Sequence, residues 1–256
     1  MLIDTHTHLD RSRQLVDAQL AEAEACDVRL MVQSGTDLKS SRTAVSMAEV
    51  YPGVFATVGI HPHNAAATTS QDIAGLRDLA RNPKVVGVGE TGLDFYRNRS
   101  PWADQERVFL AQIELARQLD LPLVIHTRDA DARSVPLLRE HAAGLNVILH
   151  CFSMPDRVEE FAELGWYMSF AGNVTYKKSV ELQEAARQVP AELILVETDA
   201  PYLTPVPLRG RPNTSAYVVH TYRFLAELRH TTVVKLAELV LDNAATAFPR
   251  LQVDAI

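Results

Sequence analysis

Val85-Val86-Gly87-Val88-Gly89-Glu90 is a short apolar run that closes on a carboxylate. Glutamate is rarely buried unless it is paired or bound to metal, so its place at the end of a run that reads as a buried strand asks for a partner. The same pattern recurs along the chain. Ile3-Asp4-Thr5-His6-Thr7-His8, Val124-Ile125-His126, Ile148-Leu149-His150 and Leu195-Val196-Glu197-Thr198-Asp199 each end in an acid or an imidazole. Apolar runs lie near residues 2–6, 28–34, 54–60, 85–90, 121–126, 146–150, 166–170 and 193–198. They are rich in Val, Ile and Leu without alternation, which suits strands buried on both faces, as in a parallel sheet.

Between the runs lie amphipathic segments. Residues 103–119 place Val108, Phe109, Gln112, Ile113, Ala116 and Leu119 at helical spacing, mostly on one apolar face. Residues 37–50, 70–81, 155–164 and 180–189 read likewise, with Pro190 stopping the last. Two further helices are expected near 215–229 and 233–248. Strands alternating with helices call for parallel βαβ units. About eight such units predict an α/β fold of the (β/α)8 TIM-barrel type, with candidate ligands gathered at the C-terminal ends of the strands. Such barrels of about 250 residues are usually single domains, so residues 1–256 are expected to form one.

Composition narrows the function classes. Hydrophobic residues make up 47% and charged residues 22% of the 256, with a formal net charge of −7. An acidic chain is not a general nucleic-acid or membrane binder, because non-specific binding needs Lys and Arg against phosphate. Contact with a polyanion must be local or supported by bound metal. Two distant cysteines, Cys26 and Cys151, lack metal-like spacing and suggest reduced thiols in a cytoplasmic protein. The first residues carry no signal-peptide pattern, and no apolar run approaches the roughly 20 residues of a membrane span. No obligate protein partner is evident.

His6 and His8, two residues apart on a strand, point the same way and can reach one metal ion. A lone His-x-His is weak, but Asp4 and Asp10 lie beside it. Glu90 has two oxygens and can bridge two ions, and a salt bridge to Arg128 is its plain alternative. His126 and His150, on adjacent strands, make a second metal position plausible with Glu90 shared. Asp199, expected to end the eighth strand beside the first, can hold metal or take a proton from water. With period two, Glu197 would share the face of Asp199, which a regular strand does not explain.

His61-Pro62-His63 ends the third strand, and both histidines suit hydrogen bonds to a phosphate better than primary ligation. Asp94 is a further candidate there. Arg128 offers a bidentate fork for phosphate, against a salt bridge with Asp129 or Asp131. Phe95, Tyr96, Phe152, Phe170 and Tyr202 lie near strand ends, and one or two of them are expected to stack on bases. Cys151 reads as a small buried residue. The Pro-rich stretch 199–213 and the segment 92–101 are the candidate functional loops.

The stretches Asp4-Thr5-His6-Thr7-His8-Leu9-Asp10, Gly59-Ile60-His61-Pro62-His63, Gly89-Glu90-Thr91-Gly92-Leu93-Asp94-Phe95-Tyr96, His126-Thr127-Arg128-Asp129-Ala130, His150-Cys151-Phe152-Ser153 and Glu197-Thr198-Asp199-Ala200-Pro201-Tyr202-Leu203 together resemble the TatD family of metal-dependent deoxyribonucleases, within the amidohydrolase-like barrel superfamily. The resemblance runs over nearly the whole chain. It implies a (β/α)8 barrel, two divalent ions (Mg²⁺ or Mn²⁺, with Zn²⁺ admitted by the histidine-rich set) and hydrolysis of DNA phosphodiesters, commonly from the 3′ end of a single strand. The implied ligands are His6, His8, Glu90, His126, His150 and Asp199. His61, His63 and Arg128 match positions near the scissile phosphate. The chain departs from the pattern at Met154, Leu208 and Thr214, positions that bear on substrate contacts rather than on ligands.

Two rival readings accompany this one. The same ligands on the same fold can serve a lactonase, an amidase or a phosphotriesterase, because fold does not fix substrate. A non-catalytic metal-binding barrel is the other. Arg97, Arg99, Arg128, Arg209 and Arg211, all expected near the mouth, favour phosphate. Two dications against Glu90 and Asp199 would leave about two positive charges at the site, enough to draw a polyanion to an acidic protein.

Overall fold

The structure, a computed structural model, describes residues 1–253. Eight strands alternate with helices: β1 (Leu2–Thr7), β2 (Val28–Ser34), β3 (Val54–Val58), β4 (Val85–Asp94), β5 (Leu123–Arg128), β6 (Val147–Leu149), β7 (Tyr167–Phe170) and β8 (Ile194–Val196). The helices are α1 (Val16–Ala25), α2 (Leu38–Val50), α3 (Ser70–Leu79), α4 (Trp102–Leu119), α5 (Asp131–His141), α6 (Val158–Glu163), α7 (Val180–Gln188), α8 (Val218–Leu228) and α9 (Val233–Ala247). The strands form one sheet in the order β1 to β8, parallel wherever the register is defined. Sequential order with a helical crossover after each strand is the (β/α)8 arrangement expected. No helix among the described residues is long and apolar enough to cross a membrane.

Two compact units divide the chain. One comprises Met1–Gln33 and His150–Thr246, the other Ser34–Leu149 and Ala247–Leu251. In the Ser34–Leu149 unit, α4 buries Val108, Phe109, Gln112, Ile113 and Ala116, the face its periodicity predicts. The two buried glutamines of α4 act as staples. Gln112 accepts the N–H of Ile60 at 2.7 Å and donates to Thr91 Oγ1 at 2.6 Å. Gln105 accepts the N–H of Asp94 at 2.8 Å and donates to the carbonyl of Ser100 at 2.9 Å. Both therefore hold backbone near candidate site residues while satisfying their own buried amides.

β4 does not stop at Glu90 but continues to Asp94. Its register against β5 shifts between Val88↔Leu123 and Thr91↔Ile125, so three residues of β4 span two of β5. That bulge contains Gly89 and Glu90, and a bulge re-aims the side chain it carries. Glycine is required here: Gly89 has φ +156°, and a Cβ on it would come within 2.6 Å of the Val124 carbonyl oxygen. Gly92, with φ +139°, would drive a Cβ into the His126 carbonyl.

In the other unit every residue of β1 is buried. The Asp199 N–H donates to the His6 carbonyl at 3.0 Å and the His8 N–H to the Ala200 carbonyl at 2.8 Å. These bonds fix the end of β1 against the segment that follows β8. Asn213 Nδ2 donates to the carbonyls of Thr198 at 3.0 Å and Tyr202 at 2.6 Å, which ties down the start of the Pro-rich stretch.

Two helices escape the sequence reading. α1 buries only Gln19 and Ala23, so no apolar stripe marks it. α5 carries Pro136 in its interior, a residue that ordinarily argues against helix, yet it buries Val135, Leu137 and Leu138.

Candidate metal centre

In the unit built on β1, three donors converge. His6 Nε2 lies 3.3 Å from His8 Nε2. Asp199 Oδ1 lies 4.0 Å from the former and 3.6 Å from the latter. All three donors are within 4.8 Å of one another, a spacing one ion can gather. The His150 ring stacks on that of His6 with centroids 3.8 Å apart. Burial raises the Asp199 carboxyl, but its bond with His8 and the charges of His150, His8 and His6 outweigh this and hold it below its ordinary 3.8. Asp199 is thus a carboxylate at neutral pH.

Asp199 is not on β8, which ends at Val196, and it adopts φ +53°. The left-handed turn separates two acids that a continued strand would have put on one face. Asp199 turns to His8, whereas the buried Glu197 accepts from His150 Nδ1 at 2.9 Å and from the Cys151 N–H at 2.8 Å. Asp4, also buried, accepts from Thr198 N at 2.8 Å and Thr198 Oγ1 at 2.6 Å. Burial pushes the Asp4 carboxyl up to about 7, against those two bonds. His150 likewise lies just past its strand, which ends at Leu149, and Cys151 is half-buried rather than buried.

In the other unit, His126 Nδ1 is 2.9 Å and His61 Nε2 3.4 Å from Glu90 Oε1, a second group of donors within 4.8 Å of one another. His126 Nε2 faces Asp94 Oδ2 at 3.4 Å, and His63 Nε2 bonds the same oxygen at 2.8 Å. Burial would raise Asp94, but bonds from His126, the Arg97 N–H and His63 hold its carboxyl well below the usual range.

Distance alone would make His61 a ligand, and its tautomer argues otherwise. Nδ1 accepts the His63 N–H at 3.1 Å, so it carries the lone pair. Burial depresses the His61 pKa well below 6.5 and keeps the ring neutral. The single ring proton then sits on Nε2, which makes His61 a donor to an oxygen rather than a metal ligand.

The first group fits a divalent ion, with His6 and His8 buried and Asp199 part-exposed, whereas the second, with His61 turned donor, offers Glu90 and the part-exposed His126. His6, His8 and Asp199 fall together in one group, and Glu90 and His126 in the other. Arg128 makes neither of the salt bridges expected as its plain reading: it is exposed and lies over the Tyr96 ring. Phe152 and Phe170 are core residues with 1% and 0% exposure, which removes them as base-stacking candidates. Sequence reasoning assigned no role to Glu197, Gln105 and Gln112. Glu197 alone left a signal, as an acid out of phase with its neighbour.

Carboxylate–imidazole groups on an alternating strand–helix chain are the architecture of a metal-dependent hydrolase of the amidohydrolase-like type, and the relatives of this chain place it in that class. Residues 3–249 match the family described as TatD related DNase, and the chain belongs to that family. It is 36% identical over 252 residues to the uncharacterized metal-dependent hydrolase YabD of Bacillus subtilis, covering 97% of this chain and 99% of that one. It is 39% identical to the 3′-5′ ssDNA/RNA exonuclease TatD of Klebsiella pneumoniae, with 91% of each chain covered. The crystal structure of YJJV, a TatD homologue from Escherichia coli K12, superposes with a TM-score of 0.91 at 28% identity, over 97% of this chain and 98% of that one.

Proposed function

We propose that this hydrolase cleaves DNA phosphodiesters, as a 3′→5′ exonuclease on single-stranded DNA. The observation that carries the reading is the convergence of His6, His8 and Asp199 in a chain of this family. The name of the Klebsiella relative, a single-strand exonuclease, supports the choice of substrate.

In this reading His6, His8, Glu90, His126, His150 and Asp199 hold two divalent ions, Mn²⁺ or Mg²⁺, with Zn²⁺ as the alternative. When bound, such ions lower the pKa of water and offset charge on the phosphate. Asp199, held as a carboxylate, accepts the proton of the attacking water. Glu90 contributes the second carboxylate. His61 Nε2–H, set by its backbone bond, donates to a phosphate oxygen, and the Arg128 guanidinium forks onto another. His63 and Asp94, bonded to each other, steady the His126 ring. Cytoplasmic placement is part of the reading and is supported by Cys26 and Cys151, which are not joined in a disulfide.

The test is digestion of 5′-labelled single-stranded DNA with Mn²⁺ or Mg²⁺ by wild type and Asp199→Ala. A descending ladder from wild type alone is expected. Equal activity in both would remove Asp199 from the mechanism. Turnover of lactones or carboxylic esters, with none on DNA, would overturn the substrate.

A further inference from the structure

The β4–α4 connection carries surface chemistry that the ligand groups do not use. Tyr96 is 55% exposed. The Arg128 guanidinium carbon stands 4.0 Å from its ring centroid and that of Arg97 5.4 Å. The pairing Asp94↔Arg128 at the end of β4 and β5, with the Phe95 N–H donating to the Arg128 carbonyl at 3.0 Å, brings the two side chains together. The base of the loop is fixed from both sides. Asp94 Oδ1 accepts the Arg97 N–H at 2.7 Å, and Phe95 stacks on Trp102 with centroids 4.1 Å apart. Tyr96 is therefore held in place while much of its surface is open to water.

Charge points the same way. Arg97, Arg99 and Arg128 are all exposed, and among the described residues none makes a salt bridge to a carboxylate. Elsewhere the exposed arginines are commonly paired, as Arg133 is with Glu106 and Arg187 with Glu184. Two unneutralised guanidinium groups beside one exposed phenol, with the exposed Arg99 three residues further along the same loop, make a local anion site with an aromatic face in a chain of net charge −7. A planar ring backed by guanidinium matches the face of a nucleobase, and the neighbouring charges match its phosphates.

We infer that Tyr96 and Arg128 form a stacking platform for one unpaired base of single-stranded DNA, with Arg97 and Arg99 taking flanking phosphates. The inference rests on the nuclease reading and deepens it. Bases within a duplex are already stacked and cannot lie on the platform, so it selects single strands.

The test compares wild type, Tyr96→Ala and Tyr96→Phe, as full chains with Mn²⁺, on labelled oligothymidylate and on a strand of equal length built from abasic spacers. Wild type should show a KM for the base-bearing strand about tenfold below that for the abasic one. Tyr96→Ala should collapse that ratio towards one, and Tyr96→Phe, which keeps the ring, should restore it. Arg97→Ala with Arg99→Ala should flatten the salt dependence of binding by about 0.7 per lost phosphate contact. A Tyr96→Ala enzyme that keeps the wild-type ratio overturns the platform and leaves the nuclease reading standing. If wild type cleaves neither strand, the nuclease reading falls, and anisotropy of the labelled strands decides the platform alone. Base-dependent binding that Tyr96→Ala weakens upholds it, and its absence overturns it.

Discussion

His150 Nδ1 lies 2.9 Å from Glu197 Oε1, an oxygen that also accepts the N–H of Cys151 at 2.8 Å. A carboxylate oxygen can only accept, so the ring nitrogen facing it is the protonated one. The lone pair is left on Nε2, which is the tautomer a metal ligand needs. Glu197 is thus a positioning residue for His150. Glu197→Gln keeps the shape and removes the charge, and it should weaken Mn²⁺ binding about 10- to 100-fold. A titration of metal-free protein reads this directly. An affinity equal to wild type would show that His150 needs no carboxylate behind it.

His61 offers a second separation of roles. If its Nε2 carries a proton, as the Nδ1 bond to the His63 N–H requires, its loss should not remove a bound ion. His61→Ala is expected to keep the wild-type Mn²⁺ stoichiometry while kcat on single-stranded DNA falls about 10- to 100-fold. His6→Ala, by contrast, should lose metal. Loss of an ion from His61→Ala, read by elemental analysis of dialysed protein, would make His61 a ligand after all.

Much of this site was legible because each candidate sits where a buried apolar run ends, and such runs are visible in composition alone. His6, His8, Glu90, His126 and Asp199 were singled out that way, and the structure groups them by threes with His61. Direction was not legible. Whether Glu197 and Asp199 face together depends on φ +53° at Asp199, and no periodicity reports that value. The bulge at Gly89 and Glu90 hid the continuation of β4 to Asp94, because a register shift is a property of two strands and not of one sequence. Gln112 stands in the sequence as one polar residue on an apolar face and Gln105 carries no signal, whereas their amides satisfy backbone groups of distant segments. α5 was obscured by Pro136, a penalty that burial of its neighbours offsets.

Gly92 faces the His126 backbone so closely that any side chain must part the two strands, and its φ of +139° suits no L-residue. The neighbour is a carbonyl in a paired strand and not a flexible side-chain end, so it cannot simply turn away. Gly92→Ala should cost about 3 kcal/mol from steric strain and an unfavourable backbone together. Because Gly92 pairs with His126, nuclease activity should fall even where the variant remains folded. Urea midpoints measure the first effect. A midpoint equal to wild type would show that β4 and β5 approach less closely than described.

The start of α3 gives a pH-dependent stability through a cap in which no candidate ligand takes part. Thr69 Oγ1 accepts the Asp72 N–H at 3.3 Å, and Asp72 Oδ2 accepts the Thr69 N–H at 2.8 Å, a reciprocal capping box. The backbone bond from Thr69, then the bond from its hydroxyl, hold the Asp72 carboxyl below its ordinary 3.8. A carboxyl with a depressed folded-state pKa stabilises the fold at pH values above the unfolded one. That stabilisation is lost as pH falls through the folded value. Asp72→Asn keeps an acceptor but never ionises, so its urea midpoint should lie below wild type at pH 6. The gap should close as pH drops below 3.8. Thr69→Ala, which removes the other half of the box, should cost about 1 kcal/mol at pH 6. A gap between wild type and Asp72→Asn that stays constant through the acid range would mean that the ionised form of Asp72 adds nothing to the cap.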